Sequence, residues 1–174
     1  MRKTTSGFTI VELLIVIVVI GILASVVIVA YNGAQARAQN ASRLAELKAW
    51  QKSFIQYKTA NSGLYPAFTN GGYCLGTGFP SQKCRDYNSV DTFYTEAGSA
   101  ALMSALSTYD PPKGVPRVPI NGSIGPYAEY WTEVIHLSSI FKGSASDCPA
   151  GTYFVWTDNA GRVICRIDLE RLDS

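Results

Sequence analysis

A single carboxylate, that of Glu12, stands at the start of a long apolar stretch. It is the one charged residue between Phe8 and Tyr31, and the run from Leu13 to Ala30 is almost entirely hydrocarbon. A charge on a helix in an apolar medium is unfavourable, by up to about 3 kcal/mol at the middle of a bilayer. We therefore expect Glu12 to meet a cation, so the chemistry that this residue offers is charge pairing.

A second chemical feature is the junction that precedes the apolar stretch. A short leader with Arg2 and Lys3 ends in Gly7, and Phe8 follows directly. Glycine has no side chain, so it fits easily as extended backbone into a protease cleft. Cleavage at this junction would leave Phe8 with a free, positively charged amine, and Phe8 lies on the same helix face as Glu12, four residues away.

The third feature is the set of four cysteines, Cys74, Cys84, Cys148 and Cys165. An even number after an export-type segment favours two disulfides and an oxidising compartment. Four cysteines allow three pairings, and we favour Cys74–Cys84 with Cys148–Cys165 because both loops are local. We predict no metal site, since there is no CxxC spacing and His136 is the one histidine of the sequence.

A long helix must position Glu12. As a helix, residues 8–31 would be about 36 Å long, enough to cross a bilayer core of about 30 Å. The pattern continues beyond Tyr31, where apolar residues recur at steps of three and four and predict an amphipathic helix that packs on a sheet. These residues are Leu44, Leu47, Trp50, Phe54 and Tyr57. We place Arg43, Glu46, Lys52 and Lys58 on the opposite, polar face, and the end of the helix near Asn61–Gly63, before Pro66.

Downstream of the helix, the sequence predicts a small α+β domain with mainly antiparallel strands. Its predicted elements are a loop over residues 65–88, a helix over 99–106 that starts as early as 91, a proline-rich connector up to 119, a strand over 127–137, a polar loop over 138–146, and a hairpin of strands 152–157 and 162–169 with its turn at 158–161.

Composition excludes several function classes. The net charge is only +2 and the basic residues are dispersed, so nucleic-acid binding is not expected. The sequence contains no P-loop, GxSxG, HExxH or GxGxxG motif. It has no EF-hand-like spacing either, and Asp158–Asn159 is the nearest approach to a calcium-binding loop. We therefore predict neither an enzyme nor a bound cofactor.

The block GFTIVELLIVIVVIGILA, residues 7–24, resembles the class III signal of type IV pilins and pseudopilins. That family has glycine before the cleaved bond, an aromatic residue after it, and glutamate as the fifth residue of the mature chain. The resemblance implies that a prepilin peptidase cuts after Gly7, that Phe8 is then N-methylated, and that Glu12 pairs with the amine of an adjacent subunit. One departure is the absence of the proline that many type IV pilins carry near position 29.

The resemblance also implies a fold and a domain plan. Residues 1–7 would be the cleaved leader, 8–31 a transmembrane and later filament-core helix, 32–62 the amphipathic helix of a head, and 63–174 the disulfide-containing head itself. The expected fold is the α+β type IV pilin fold, a long helix packed on a small antiparallel sheet. The Cys148–Cys165 pair resembles the disulfide that often closes a C-terminal loop of the family's head.

The function implied is that of a type IV pilus subunit, used in adhesion, motility or DNA uptake. Its partners would be copies of itself, the prepilin peptidase and the pilus assembly machinery. It would sit in the cytoplasmic membrane first and in a cell-surface filament afterwards. Three alternatives remain: a pseudopilin of a type II secretion system, a membrane-tethered binding domain that works as a monomer, and an ordinary export signal cleaved after Ala34-Gln35-Ala36.

Overall fold

The computed structural model describes residues 9–85, 94–112, 125–131, 134–157 and 161–170. Contacts divide the chain into two compact units, one up to Ala38 and one from Gln39 onwards. A single helix, α1, runs from Ile10 to Ala60 and contributes to both units. Gly7, Phe8, the turn at residues 158–160 and most of the proline-rich connector lie outside the described residues.

The first part of α1 presents apolar side chains on every side. From Ile10 to Ile28 its large hydrophobic side chains are 47–78% exposed. The most apolar window of this helix has a mean hydropathy of 3.4, and α1 is the one helix in the described part of the chain that is long and apolar enough to cross a membrane. The sequence-based prediction of a membrane-length apolar helix is thereby confirmed in length and composition.

The second part of α1 packs through the predicted stripe. Leu47, Trp50 and Phe54 are buried, at 0%, 2% and 0% exposure. Two of the residues that we placed on the polar face are buried as well, since Arg43 is 8% and Glu46 5% exposed. That assignment was wrong because it followed charge rather than position: residues 43 and 46 lie one turn before 47 and 50, on the same face.

The end of α1 confirms the predicted terminator. The helix ends at Ala60, and Gly63 follows with a φ of +84°. Its N–H donates a hydrogen bond to the carbonyl of Lys58 over 2.9 Å. This left-handed position suits glycine, and the bond satisfies a carbonyl that the helix itself leaves open.

One five-stranded antiparallel sheet forms the rest of the head. The strands are β1 (Gly71–Cys74), β2 (Tyr127–Tyr130), β3 (Val134–Lys142), β4 (Tyr153–Thr157) and β5 (Arg162–Glu170), in the order β1-β2-β3-β5-β4. A short helix, α2 (Ala100–Leu106), follows Ser99 as predicted, with Leu102 and Leu106 buried. An earlier start of this helix, at Asp91, falls outside the described residues.

Three sequence-based predictions for the sheet were wrong. The predicted loop over residues 65–88 contains β1, a strand that begins with two glycines and so carries little strand signal. The predicted single strand over 127–137 is a hairpin of β2 and β3, closed by a hydrogen bond from Trp131 N–H to the Val134 carbonyl at 3.1 Å. The first part of the predicted loop over 138–146, as far as Lys142, is instead the second half of β3.

Serines hid that second half of β3. Ser138 and Ser139 are both 1% exposed and pair with Arg166 and Cys165 of β5. Ser139 packs closely against Gly125: a Cβ at Gly125 would lie 3.1 Å from the Ser139 Cα, so position 125 has no room for a side chain. Their polarity suggested a loop, whereas their small size serves a tightly packed strand.

The sheet has apolar clusters on both faces. The cluster against α1 combines helix and sheet residues: Leu47, Trp50, Phe54, Leu75, Leu102, Leu106, Ala128, Tyr130, Ile135, Leu137, Ile167 and Leu169. A second cluster gathers around the Cys74–Cys84 loop: Cys74, Phe79, Cys84, Tyr127, Ile140 and Ile164, with Tyr94 packed against it. Covering both faces explains why the strands show weaker polar alternation than a one-sided sheet would.

β4 lies at one edge of the sheet and is unusually apolar for an edge. Its side chains Tyr153, Phe154, Val155 and Trp156 are 39–45% exposed. Two guanidinium groups of β5 cover part of its rings. The Cζ atom of Arg162 lies 5.1 Å from the Trp156 ring centroid, and that of Arg166 lies 5.1 Å from the Tyr153 centroid.

Two tyrosines that pack edge to face in the second cluster predict a response to alkaline pH. Burial raises the pKa of Tyr94 above its usual range, and the hydrogen bond to Glu129 acts in the same direction. Burial also raises the pKa of Tyr127, whose ring centroid is 5.2 Å from that of Tyr94. Because the folded state holds these protons above the unfolded pKa of about 10, the head should lose stability as the pH rises past that value.

The expected result is a difference in tyrosinate absorbance at about pH 11. Folded protein should absorb less than urea-unfolded protein at the same pH, and Tyr94→Phe should narrow this difference because one protected phenol is gone. Equal absorbance of the folded and unfolded chains would show that these phenols are not protected.

Candidate functional site

The carboxylate of Glu12 is held at the start of α1 by Thr9. Glu12 Oε2 accepts hydrogen bonds from the Thr9 N–H at 2.8 Å and from the Thr9 hydroxyl at 2.7 Å. The Glu12 N–H in turn donates to Thr9 Oγ1 over 3.3 Å. The three bonds form a capping box, which satisfies donors that the first helical turn leaves open.

Sequence reasoning missed Thr9. The pattern Thr-x-x-Glu directly before an apolar run is a recognised signal for a capping box, and Thr9-Ile10-Val11-Glu12 fits it. The cap gives Glu12 a local role besides the expected pairing role. It also fixes where the carboxylate stands relative to the helix axis, at the first turn, where the helix dipole favours a negative charge.

Among the described side chains from Leu13 to Ile28, none offers a polar group to a partner. The hydroxyl of Ser25 donates a hydrogen bond to the carbonyl of Ile22 at 2.7 Å, so this donor is satisfied within the helix. Gly21 has no other atom within 4 Å of where its Cβ would be. The helix from Ile10 to Ile28 is therefore apolar apart from one carboxylate in its first turn, and the surfaces that suit it are lipid chains or other apolar helices.

Two disulfide bonds are present in the head. One joins Cys74 at the end of β1 to Cys84, ten residues on, and both cysteines are fully buried. The other joins Cys148, before β4, to Cys165 inside β5, with a sequence separation of 17. The first bridge closes the loop that covers one face of the sheet, and the second ties the β4 edge to its neighbour.

His136 makes a close polar contact with Asp168 on the sheet. Its Nδ1 lies 2.6 Å from Asp168 Oδ1, and Arg166 Nε lies 3.2 Å from the same oxygen. Among the described residues, no group of three or more His, Cys, Asp or Glu side chains is placed to hold a metal ion. We interpret His136 as a structural residue.

The comparison with known proteins identifies the first helix directly. Residues 2–28 match the family model described as the prokaryotic N-terminal methylation motif. The type IV major pilin protein PilE of Neisseria gonorrhoeae is 42% identical over 66 residues, 38% of this chain and 39% of that protein. The N-terminal part of the chain thus carries the prepilin-type methylation motif and is similar to that of a type IV pilin.

Two further relatives extend the similarity to both branches of this family. The type II secretion system core protein G of Vibrio cholerae is 34% identical over 87 residues, 50% of this chain and 58% of that protein. The fimbrial protein EcpC of Eikenella corrodens is 37% identical over 67 residues, 38% of this chain and 43% of that protein. The chain thus spans 39–58% of the length of these three relatives, and no solved structure matches it.

The architecture of the chain agrees with this family. A long N-terminal helix and a small five-stranded antiparallel sheet make up the α+β fold of type IV pilins. Proteins of this family are structural subunits rather than enzymes. Their motif and apolar helix fit a membrane-anchored subunit that later becomes part of a surface filament.

Proposed function

We propose that this chain is a pilin, the structural subunit of a type IV pilus that serves adhesion, motility or DNA uptake. The observation that carries the proposal is the first unit of α1, whose large apolar side chains are 47–78% exposed with one carboxylate at the end. Such a surface must be covered by lipid before assembly and by sister helices after it. The similarity to PilE and EcpC supports a pilus in particular.

The proposed mechanism assigns separate tasks to the two kinds of residue. Removal of residues 1–7 by a prepilin peptidase frees the amine of Phe8, which is then methylated. In a dry filament core this amine and the Glu12 carboxylate of a neighbouring subunit would pair, because each needs an opposite charge there. The apolar side chains supply most of the attraction, which has no preferred direction, and the pair fixes the axial offset between neighbouring helices.

The capping box adds a detail to this mechanism. Glu12 accepts both of its described hydrogen bonds, from the Thr9 N–H and hydroxyl, through the single atom Oε2. A carboxylate has about four lone-pair sites on its two oxygens. The cap and an intermolecular amine can therefore be served together, and the cap would hold the carboxylate in place while a neighbour arrives.

A second candidate is a pseudopilin of a type II secretion system. The alignment with core protein G favours it, because at 87 residues it extends further along this chain than the alignments with PilE and EcpC. Electron microscopy of sheared surface material tests the choice: filaments that contain this chain support the pilin, and a deletion strain that fails to secrete while showing no loss of surface filaments supports the pseudopilin. A chain that stays monomeric at the surface would contradict both.

Cleavage after Gly7 leads to a prediction on processing. Gly7→Arg should block removal of the leader, because a long charged side chain replaces the hydrogen that the peptidase cleft accepts. The uncut chain should then accumulate in the membrane, with the mature form reduced at least about tenfold, as a transition-state loss of about 1.4 kcal/mol already implies. Mass spectrometry of the N-terminus measures this, with Ser6→Ala as the control that should be processed normally. Efficient cleavage of Gly7→Arg before Phe8 would contradict the proposed processing.

A further inference from the structure

A groove opens in the head beside β1, the edge strand opposite β4. Its volume is about 460 Å³, within the range of about 300–1,000 Å³ that is usual for small-molecule sites. We propose that this groove binds a neutral saccharide. The residues that carry the argument line it: Asn70, Gly72, Arg85, Tyr94, Glu129 and Trp131.

The first step of the argument is an aromatic wall. Trp131 follows β2 directly and is 58% exposed, more than Tyr153, Phe154 and Trp156 of β4. Its backbone is fixed by the hydrogen bond to Val134. An indole that lines a groove offers a flat apolar face and one N–H donor. The C–H face of a pyranose ring is the complementary surface.

The second step is a polar group of three side chains in the same groove. The hydroxyl of Tyr94 donates to Glu129 Oε1 over 2.6 Å. Nη1 of Arg85 lies 2.8 Å from the Tyr94 hydroxyl oxygen and 2.9 Å from Glu129 Oε1. The three groups hold one another in position, which is the condition for a preorganised binding site. The Glu129 carboxylate accepts hydrogen bonds and the Arg85 guanidinium donates them, and a sugar hydroxyl can do either.

The third step concerns Gly72 of β1, which leaves space for the ring of Tyr94. A Cβ at Gly72 would lie 2.1 Å from the Tyr94 ring, so any side chain there would displace the ring. The guanidinium of Arg85 lies over the same ring, with its Cζ atom 4.9 Å from the Tyr94 ring centroid. A strand that gives up side chains for a close approach is typical of a shaped surface rather than of a plain sheet edge.

The charges in the groove select the class of ligand. Arg85 and Glu129 form an ion pair with 31% and 18% of their side chains exposed, so they contribute opposite charges to the lining. An anionic ligand would face the Glu129 carboxylate, and a purely apolar ligand would cover this polar pair without replacing its water. An uncharged ring with many hydroxyls and an apolar face suits the pair and Trp131 together.

The test uses the full chain, purified in a detergent without a sugar headgroup. The probes are glucose, galactose, mannose and N-acetylglucosamine, with N-acetylneuraminic acid as the charged comparison, and binding is followed by saturation-transfer NMR and by tryptophan fluorescence. At least one neutral sugar should bind saturably, and Trp131→Ala should weaken it by about tenfold, equivalent to about 1.4 kcal/mol. Trp156→Ala, which removes an exposed tryptophan from β4, is the matched control and should leave binding unchanged.

A second variant, Asn70→Ala, tests the polar side of the groove, and it too should weaken the same sugar. The proposal is overturned if no neutral sugar binds saturably up to about 10 mM, if Trp156→Ala weakens binding as much as Trp131→Ala, or if N-acetylneuraminic acid binds better than every neutral probe. The groove contains no residue of the assembly helix. Glu12→Ala protein should therefore bind the same sugar, which separates a failure of this inference from a failure of the proposed filament function.

Discussion

Replacing Glu12 by glutamine should abolish filament assembly while leaving the leader cleaved and the helix inserted. Glutamine keeps the size of the side chain and an oxygen that can accept from Thr9, so the cap described above can persist. It removes the charge that the proposed pairing with the Phe8 amine needs. Leaving one member of a buried pair without its partner costs about 3–5 kcal/mol, so the yield of sheared filaments should fall by far more than tenfold.

The matched control separates the two roles of this carboxylate, helix capping and charge pairing. Thr9→Val removes the hydroxyl of the capping box but keeps the Glu12 charge, and loss of a cap costs about 1 kcal/mol. Assembly should therefore survive in Thr9→Val and fail in Glu12→Gln. Immunoblots of sheared material and of membranes measure the assembled filaments and the membrane-bound subunits in the same cells. N-terminal mass spectrometry measures leader cleavage. Normal filaments from Glu12→Gln would show that the charge is dispensable, and failure of Thr9→Val as well would show that the cap is required in addition to the charge.

Opening the Cys148–Cys165 disulfide should lower the melting temperature of the head by roughly 10 °C. In the chain-entropy model a loop of this length contributes about 3 kcal/mol, and in a domain of this size about 1 kcal/mol shifts the melting temperature by a few degrees. The bridge holds β4 to β5 beside Cys165, which is fully buried. The double variant Cys148→Ala/Cys165→Ala should reproduce the shift produced by reductant.

The two bridges should open in a fixed order. Cys148 is partly exposed, whereas Cys74 and Cys84 are both fully buried. A mild reductant should therefore open Cys148–Cys165 in the folded head and reach Cys74–Cys84 only as the head unfolds. Mass spectrometry after alkylation measures which cysteines are free at each stage. A melting temperature that does not respond to reductant, or equal alkylation of all four cysteines, would contradict these roles.

The sequence was most informative where a single pattern decides the structure. Steps of three and four identify the stripe of Leu47, Trp50 and Phe54, because a helix that packs on a sheet must bury one face. Glu12 stood out because a charge in an apolar run is costly. The hairpin of β4 and β5 followed from its β-branched and aromatic residues, since few other structures suit them.

What the sequence did not reveal depends on contacts between distant segments. β1 is a strand because β2 pairs with it, although glycines at its start carry no strand signal. Ser139 lies in a strand because it pairs with Cys165 of β5. The groove draws Arg85, Tyr94 and Glu129 from three separate stretches, and no local pattern places them together. Thr9 is the exception, since its local pattern was present and was missed.

Under the proposed filament function, subunits wait in the membrane before assembly, and the β4 edge then has a consequence for them. An open strand edge with aromatic side chains invites a second copy to add its own edge, which would draw crowded subunits into disordered aggregates. Arg162 and Arg166 flank that edge over its rings, so two copies that approach edge to edge bring like charges together. The same residues that shield the rings thus help to keep the reserve of unassembled subunits dispersed.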